Sequence, residues 1–232
     1  MAKTFEVMQK QGFSPPSLGG FQDLKNRKQL GDLTKTIFNL RSKNQSKAFV
    51  FACCRPGEGV TTIVANVITY FTHYQPDCKV LVIDANFQSP SLHHKLNLSQ
   101  GPGLAEILHG KSMVGVVQEW GGNGAIHVLT CGDGYKDLAG NISQVRFSAF
   151  LAEARNHYDC IIIDSSPIMA STQTLSTAAA ADGLFLVVQS LKVQSEVALK
   201  TKSLLANNEC EISGVVLNRV QQVIPAWMYR LI

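Results

Sequence analysis

Apolar runs alternate along this chain with segments whose apolar residues recur at helical spacing. The segments with helical spacing lie at about 31–42, 61–70, 143–157 and 195–207. Strands that are apolar throughout are typical of a sheet buried on both faces, and such sheets are parallel, with helices as crossovers. The pattern therefore predicts an α/β fold with a mostly parallel sheet and helices on both faces. The predicted strands are 47–52, 80–84, 125–130, 160–164, 184–188 and 213–218.

The chain length of 232 residues is consistent with one α/β domain. We expect that domain at 30–220, between a polar N-terminal arm at 1–29, predicted to be flexible, and a C-terminal tail at 221–232. No apolar run approaches the length of a membrane span, and no secretory signal is visible at the N-terminus, so a soluble, cytoplasmic chain is expected. The tail is short and interrupted by Pro225, which favours a packed or frayed terminus over a membrane-binding helix.

Net charge limits which partners are expected, and cysteine spacing limits which metal sites and disulfides are expected. The formal net charge of +4 allows an anionic partner but does not require one. No interleaving of aromatic and basic residues is present, so nucleic acid is not an expected partner. The six cysteines form no C-x-x-C pair, and several lie in or beside apolar strands. They are expected to be small buried hydrophobic residues in a reducing cytoplasm rather than metal ligands or disulfide partners.

The segment Arg55–Thr62, R-P-G-E-G-V-T-T, is typical of a phosphate-binding loop in which Val60 replaces the lysine. It lies between a predicted strand and a predicted helix, which is the context that such a loop requires. Backbone N–H groups at a helix N-terminus bind phosphate without a lysine, and Thr61 holds the position of the Mg²⁺-binding hydroxyl. The alternative is that P-G-E-G is an ordinary tight turn. The residues expected to contact a nucleotide here are Arg55, Gly57, Glu58, Gly59, Val60, Thr61 and Thr62.

Polar residues end three of the predicted strands. Asp84 and Asp164 each follow an apolar run, and Asn218 ends the last strand. Because ligands bind at the carboxyl ends of parallel strands, we expect these residues near the loop. Asp164 is the natural Walker B carboxylate, and Asp84 is a second candidate for catalysis; with Thr61 they form the expected Mg²⁺ site. A lone aspartate at a strand end is otherwise often a helix cap or turn residue.

The motifs together resemble the bacterial tyrosine kinases (BY-kinases) of capsule and exopolysaccharide export, which belong to the MinD- and ParA-type ATPases with a deviant Walker A loop. The resemblance covers about residues 30–220. It implies a P-loop NTPase-like fold, binding of ATP or ADP with Mg²⁺, Asn218 near the adenine, and a capacity for homo-oligomers. The partner it implies is a separate inner-membrane polysaccharide co-polymerase or another export protein, which would hold this chain peripherally at the membrane. The motifs are P-G-E-G-x-T-T, V-L-V-I-D-A-N-F-Q-S-P-S-L-H, G-L-A-E-I-L-H-G, Y-D-C-I-I-I-D-S-S-P, A-D-G-L-F-L-V-V and G-V-V-L-N-R-V.

Several positions depart from the family pattern. Val60 replaces the Walker A lysine, Asn86 replaces the second aspartate of the Walker A′ motif, and Gln88 replaces a basic residue that follows it. Only Tyr229 stands where the family has a tyrosine-rich tail. Because phosphoryl transfer depends on positive charge at the transferred group, loss of the lysine is expected to slow it on the order of 100- to 1,000-fold or more. Nucleotide is expected to bind weakly or not at all, and Asp84 and Asp164 to be vestigial or weak as catalytic residues.

Two hypotheses about function follow. The first is a pseudokinase that scaffolds or regulates polysaccharide synthesis and export with its membrane partner. The second is an active MinD/ParA-type ATPase switch in which Arg55, at the place of the signature lysine, supplies the missing charge in cis or across a dimer. The alternative for Arg55 is a solvated charge in the loop with no role in binding. ATP-dependent dimerisation separates the two hypotheses, because only the switch requires it.

Overall fold

A seven-stranded sheet organises the described part of the chain. The computed structural model describes residues 24–40, 46–122, 124–138 and 144–220. The strands are β1 (Lys47–Cys53), β2 (Val80–Ala85), β3 (Gln118–Trp120), β4 (Ile126–Leu129), β5 (Cys160–Ser165), β6 (Gly183–Gln189) and β7 (Ile212–Asn218). The six strands predicted from apolar runs are thus confirmed, each within two residues at either end.

The strand order is β3-β4-β2-β5-β1-β6-β7, and every neighbouring pair is parallel except β3 with β4. This confirms the predicted α/β class with a mostly parallel sheet. The antiparallel strand β3 was not predicted, because three residues are too few to show a hydrophobic period. It caps one edge of the sheet, and its Trp120 is buried.

Eight helices are described. They are α1 (Leu24–Leu40), α2 (Val60–Tyr74), α3 (Leu92–Leu96), α4 (Leu104–Leu108), α5 (Tyr135–Leu138), α6 (Gln144–Ala154), α7 (Thr172–Ala180) and α8 (Ser195–Asn207). The predicted helix 195–207 is confirmed at both ends. Helices α3, α4 and α5 were not predicted, since four or five residues show little more than one turn of periodicity. Helix α7, nine residues long, was also not predicted, because Leu175 is its single large apolar residue.

The first helix begins earlier than the sequence pattern predicted. It starts at Leu24 instead of about Gly31, so residues 24–29, assigned to the arm, are helical. Leu30, Thr34 and Ile37 lie on one face and are buried, which holds the helix against α2. The rest of the arm, 1–23, and the tail, 221–232, lie outside the described residues, as does Ser42, so the proposed domain limits there stay predictions.

Two apolar layers cover the two faces of the sheet. Alternate residues of β1 belong to different layers: Val50 packs in one, and Phe51 in the other. Phe51 stacks on Phe185 of β6 with ring centroids 5.1 Å apart. All six cysteines are buried, as the sequence predicted. Within the part of the chain that the structure describes, no helix is long and apolar enough to cross a bilayer.

Candidate nucleotide site

The loop that joins β1 to α2 lies at the carboxyl edge of the sheet. Gly57 and Gly59 both have left-handed backbone conformations, with φ of 86° and 93°. Residues with a β-carbon rarely adopt these angles, so the two glycines are what allow the chain to turn sharply into the helix. Gly59 directly precedes Val60, the first residue of α2, so the loop leads into a helix N-terminus. The free backbone N–H groups of a helix N-terminus bind phosphate favourably.

Val60 is part of the hydrophobic core. Its side chain is 6% exposed and packs in the same apolar layer as Val64 and Phe51. The position that carries the lysine in a typical phosphate-binding loop is therefore used here for apolar packing. The next residue, Thr61, is also buried, and its hydroxyl lies 3.3 Å from that of Ser91, which precedes α3. Thr62 is exposed on the first turn of the helix.

Glu58 supports the loop from inside. Its side chain is buried, and one carboxylate oxygen accepts a hydrogen bond of 3.2 Å from the backbone N–H of Cys54. Burial raises the pKa of Glu58, and the backbone N–H groups of Cys54 and Arg55 partly oppose that rise. The carboxylate of Glu58 thus holds the loop's shape, and the expected contact of Glu58 with a nucleotide stays a prediction. Arg55 is exposed.

Hydrogen bonds from residues at the end of β7 also hold the loop. The side-chain amide of Asn218 donates a 2.7 Å hydrogen bond to the backbone oxygen of Glu58. The guanidinium of Arg219 donates to the backbone oxygen of Gly57 at 3.4 Å and to the side chain of Gln189 at 3.2 Å. The structure thus brings Asn218 to the loop, as its place at a strand end predicted. Its expected position near an adenine stays a prediction.

Asp84 and Asp164 lie side by side on neighbouring strands. They are paired in register between β2 and β5, and both are fully buried. Asp84 accepts hydrogen bonds from the backbone N–H groups of Asn86, at 3.0 Å, and Leu92, at 3.1 Å. Among the described residues, neither oxygen of Asp164 has a hydrogen-bond partner of good geometry, although the Thr61 hydroxyl is near enough to favour its ionised form.

Burial and mutual repulsion make this pair hard to ionise. Burial raises the pKa of Asp84 to about 6. Burial, and then the charge of Asp84, raise the pKa of Asp164 well above its ordinary value. A hard divalent cation that takes oxygen ligands would relieve both effects. The two carboxylates and the Thr61 hydroxyl therefore fit Mg²⁺, and their expected role as its ligands stays a prediction.

Asn86 connects the loops that follow β2 and β5. Its side-chain oxygen accepts hydrogen bonds from the hydroxyl of Ser166, at 2.9 Å, and from the backbone N–H of Ser89, at 3.2 Å. Nearby, Gln88 donates to the backbone oxygen of Ala170 at 2.5 Å. Two positions where the sequence departs from the family pattern thus form neutral links between the same two loops. A neutral amide at position 86 can act neither as a charged ligand of a cation nor as a carboxylate base.

Sequence reasoning missed a lysine beside the loop. Lys192 lies in the turn after β6 and is exposed. A β-carbon built on Gly57 would lie 3.9 Å from its ammonium nitrogen. Nothing in the local sequence indicates this, because Lys192 and Gly57 are far apart along the chain and meet only through the sheet order. Arg219 was missed for the same reason.

Comparison with known proteins identifies the family. The chain is 32% identical over 174 residues to the tyrosine-protein kinase YwqD of Bacillus subtilis, across 75% of this chain and 73% of that protein. The chain belongs to the bacterial tyrosine-kinase family. A second BY-kinase relative, the putative tyrosine-protein kinase CapB of Staphylococcus aureus, is 26% identical across 81% of this chain and 82% of that protein. No protein-family model matches the chain.

Solved structures agree with this BY-kinase assignment at the level of fold. The kinase domain of the Escherichia coli tyrosine kinase Etk superposes with a TM-score of 0.73 at 22% identity, covering 85% of this chain and 77% of that domain. A chain of the MinC:MinD cell division complex of Aquifex aeolicus superposes with a TM-score of 0.64 at 21% identity, covering 75% of this chain and 69% of that one. The predicted P-loop NTPase-like fold and the predicted resemblance are both confirmed.

Proposed function

We propose that this BY-kinase relative is a pseudokinase that scaffolds or regulates capsule or exopolysaccharide synthesis and export. Its partner is an inner-membrane polysaccharide co-polymerase or another export protein, which holds it peripherally at the membrane. The observation that carries the proposal is Val60: the side chain at the position of the catalytic lysine is apolar and buried in the core.

Phosphoryl transfer is the step that this substitution impairs. The enzyme's contribution to that reaction is mostly positioning and neutralisation of charge at the transferred group. Val60 provides neither, and Asn86 is neutral and bonded to Ser166. We therefore expect transfer slower by about 100- to 1,000-fold or more than with an intact loop.

Nucleotide binding is a separate property, and the remaining site supports it. The backbone N–H groups of the loop and of the N-terminus of α2 are groups that can bind an anion. Thr61, Asp84 and Asp164 would hold Mg²⁺, which when bound neutralises phosphate charge. We propose that ATP or ADP occupies this site as a ligand and that the scaffolding role does not depend on its presence.

A genetic complementation experiment tests the scaffolding role. The gene is deleted, and surface polysaccharide is quantified after return of the native chain, of Asp164→Asn, or of Phe51→Asp, which disrupts the core. A scaffold predicts that Asp164→Asn restores polysaccharide to the native level while Phe51→Asp does not. Loss of polysaccharide with Asp164→Asn, at unchanged protein abundance, would instead show that an intact nucleotide site is required, and would contradict a purely scaffolding role.

The exposure of Arg55 favours a second candidate function. Its side chain lies in the loop and is exposed, where it is accessible to a second subunit. A MinD/ParA-type switch would use it across a dimer, and light scattering would then show dimers with Mg·ATP that are absent with Mg·ADP and with Arg55→Ala. A constant oligomeric state in all three samples excludes the switch and leaves the scaffold.

A further inference from the structure

Positive charge collects on the outer side of the phosphate-binding loop, although the loop's own lysine is missing. The Lys192 ammonium lies close to Gly57. A β-carbon built on Gly57 would be at ordinary van der Waals distance from the ammonium nitrogen. Lys192 is exposed, so its charge is available to a ligand at the loop.

Arg219 adds a fixed charge at the same place. Its guanidinium is held by the backbone oxygen of Gly57 and by the side chain of Gln189. A guanidinium has five N–H donors in a planar fork, so these two acceptors leave donors for an anion. Both cations follow the carboxyl ends of parallel strands, β6 and β7, where ligands of such sheets bind.

Unusual backbone conformations bring both cations to the loop. Among the described residues, four that are not glycine have a left-handed backbone, and two of them are Leu191, at φ 61°, and Arg219, at φ 53°. Leu191 directly precedes Lys192. Such conformations cost about 1 kcal/mol or more and tend to persist at functional sites. The turns after β6 and β7 are therefore strained at the residues that set the position of the two charges.

Neutralisation of Glu58 does not account for all this charge. Glu58 is the buried carboxylate of the loop, and the charges of Lys192 and Arg55 both act on it. Arg219 adds a third positive charge at the neighbouring Gly57, whose backbone oxygen it contacts. The excess is positive and faces solvent at the mouth of the loop, which suits a polyphosphate anion.

We propose that Lys192, with Arg219 beside it, binds the phosphates of a nucleoside di- or triphosphate in place of the lysine that Val60 replaces. This inference rests on the proposed function, in which nucleotide binds without efficient transfer. The replacement charge comes from outside the loop motif, on the side of Gly57, and not from the start of α2. It anchors phosphate for binding, whereas the position required for transfer remains apolar.

Calorimetric titration of the purified chain with Mg·ADP and with Mg·AMP-PNP tests this proposal. Lys192→Ala is expected to weaken binding about 10- to 100-fold, the usual effect of losing a charged hydrogen bond. Lys192→Arg is expected to restore most of the affinity, and the affinity of the native chain is expected to fall with added salt. Lys200→Ala, which removes an exposed charge from α8, is the matched control and is expected to bind as the native chain does.

Two results would overturn the inference. One is equal affinity in Lys192→Ala and Lys200→Ala, which would make Lys192 a surface charge or a partner of Glu58 only. The other is no binding of either nucleotide to the native chain. Neither result bears on the scaffold itself, which the complementation experiment judges, so failure of this inference is distinguishable from failure of the proposed function.

Discussion

The side-chain amide of Asn218 lies so close to Gly59 that any β-carbon at Gly59 would collide with it. The same amide is bonded to the backbone oxygen of Glu58, the preceding residue. The last strand of the sheet and the phosphate-binding loop are thus fitted to each other. The absence of a side chain at position 59 is required both by this contact and by the local φ of 93°.

We predict that Gly59→Ala destabilises the protein by about 1–3 kcal/mol, through the left-handed backbone and the collision with Asn218. Asn218→Ala alone is expected to cost about 1 kcal/mol, the usual value of one hydrogen bond. In the double variant the collision is relieved, so its cost is expected to be smaller than the sum of the two single costs. Urea unfolding of the four proteins measures this, and simple additivity would show that the two residues are not coupled.

Asp164→Asn is expected to stabilise the protein at pH 8 in the absence of Mg²⁺, by about 1–3 kcal/mol. The pKa of Asp164 is raised by burial and by Asp84, so the native state binds this proton more tightly than the unfolded chain. Its contribution to stability therefore falls as pH rises above about 4, the unfolded value, and through the range in which Asp84, with a pKa of about 6, also ionises.

Unfolding free energies of native and Asp164→Asn protein between pH 4 and 8 check this prediction. The advantage of the variant should vanish near pH 4, where the native carboxyl is protonated. Excess Mg²⁺ at pH 8 should stabilise the native chain more than the variant. Asp77→Asn, at an exposed turn, is the control and should show no such trend. A variant less stable than the native chain at pH 8 would contradict this account of the pair.

Glu106 anchors the loop after β4 to the start of α4. Its carboxylate accepts hydrogen bonds from the backbone N–H groups of Gly103, at 2.6 Å, Asp133, at 3.1 Å, and Gly134, at 2.9 Å. Burial acts to raise its pKa, but these donors outweigh burial and lower it. A lowered pKa contributes stability that is present above the unfolded value of about 4.3 and is lost as pH falls through the folded value.

We therefore predict that Glu106→Gln costs about 1–2 kcal/mol at pH 7, after allowance for solvent screening of a partly exposed group. The difference from the native chain should shrink below about pH 4. Glu153→Gln, on the exposed face of α6, is the matched control. Thermal unfolding at several pH values measures both, and a pH-independent cost would mean that the carboxylate charge is not what matters.

The cysteines are predicted to be unreactive in the folded protein. Burial, with the nearby charge of Glu58, raises the pKa of Cys53 to about 12, and all six thiols are buried. Because the thiolate is the reactive form, Ellman's reagent should label almost no thiol within minutes in native buffer and six in guanidinium chloride. Rapid labelling of Cys53 in the native chain would show that the loop opens far more than the structure indicates.

The sheet and the carboxylate pair could be predicted from the sequence, because both depend on the local pattern of apolar and polar residues. Apolar runs ending in Asp84 and Asp164 predict two buried strands, and parallel pairing then brings the two carboxylates together. Lys192 is different, since its relation to Gly57 arises from the order of strands and from a strained turn that no local pattern encodes. Asn86 was predicted only as a lost carboxylate. Its hydrogen bond to Ser166 depends on how the loops after β2 and β5 pack together, which no local pattern shows.

We expect that this BY-kinase relative does not transfer phosphate efficiently. The most direct test is phosphotyrosine formation by the purified native chain with Mg·ATP, on itself and on a glutamate–tyrosine copolymer, quantified by mass spectrometry beside Asp164→Asn. Native and Asp164→Asn chains are expected to give the same background level. Robust phosphorylation by the native chain that Asp164→Asn abolishes would contradict the account and show that the kinase works without a lysine at position 60.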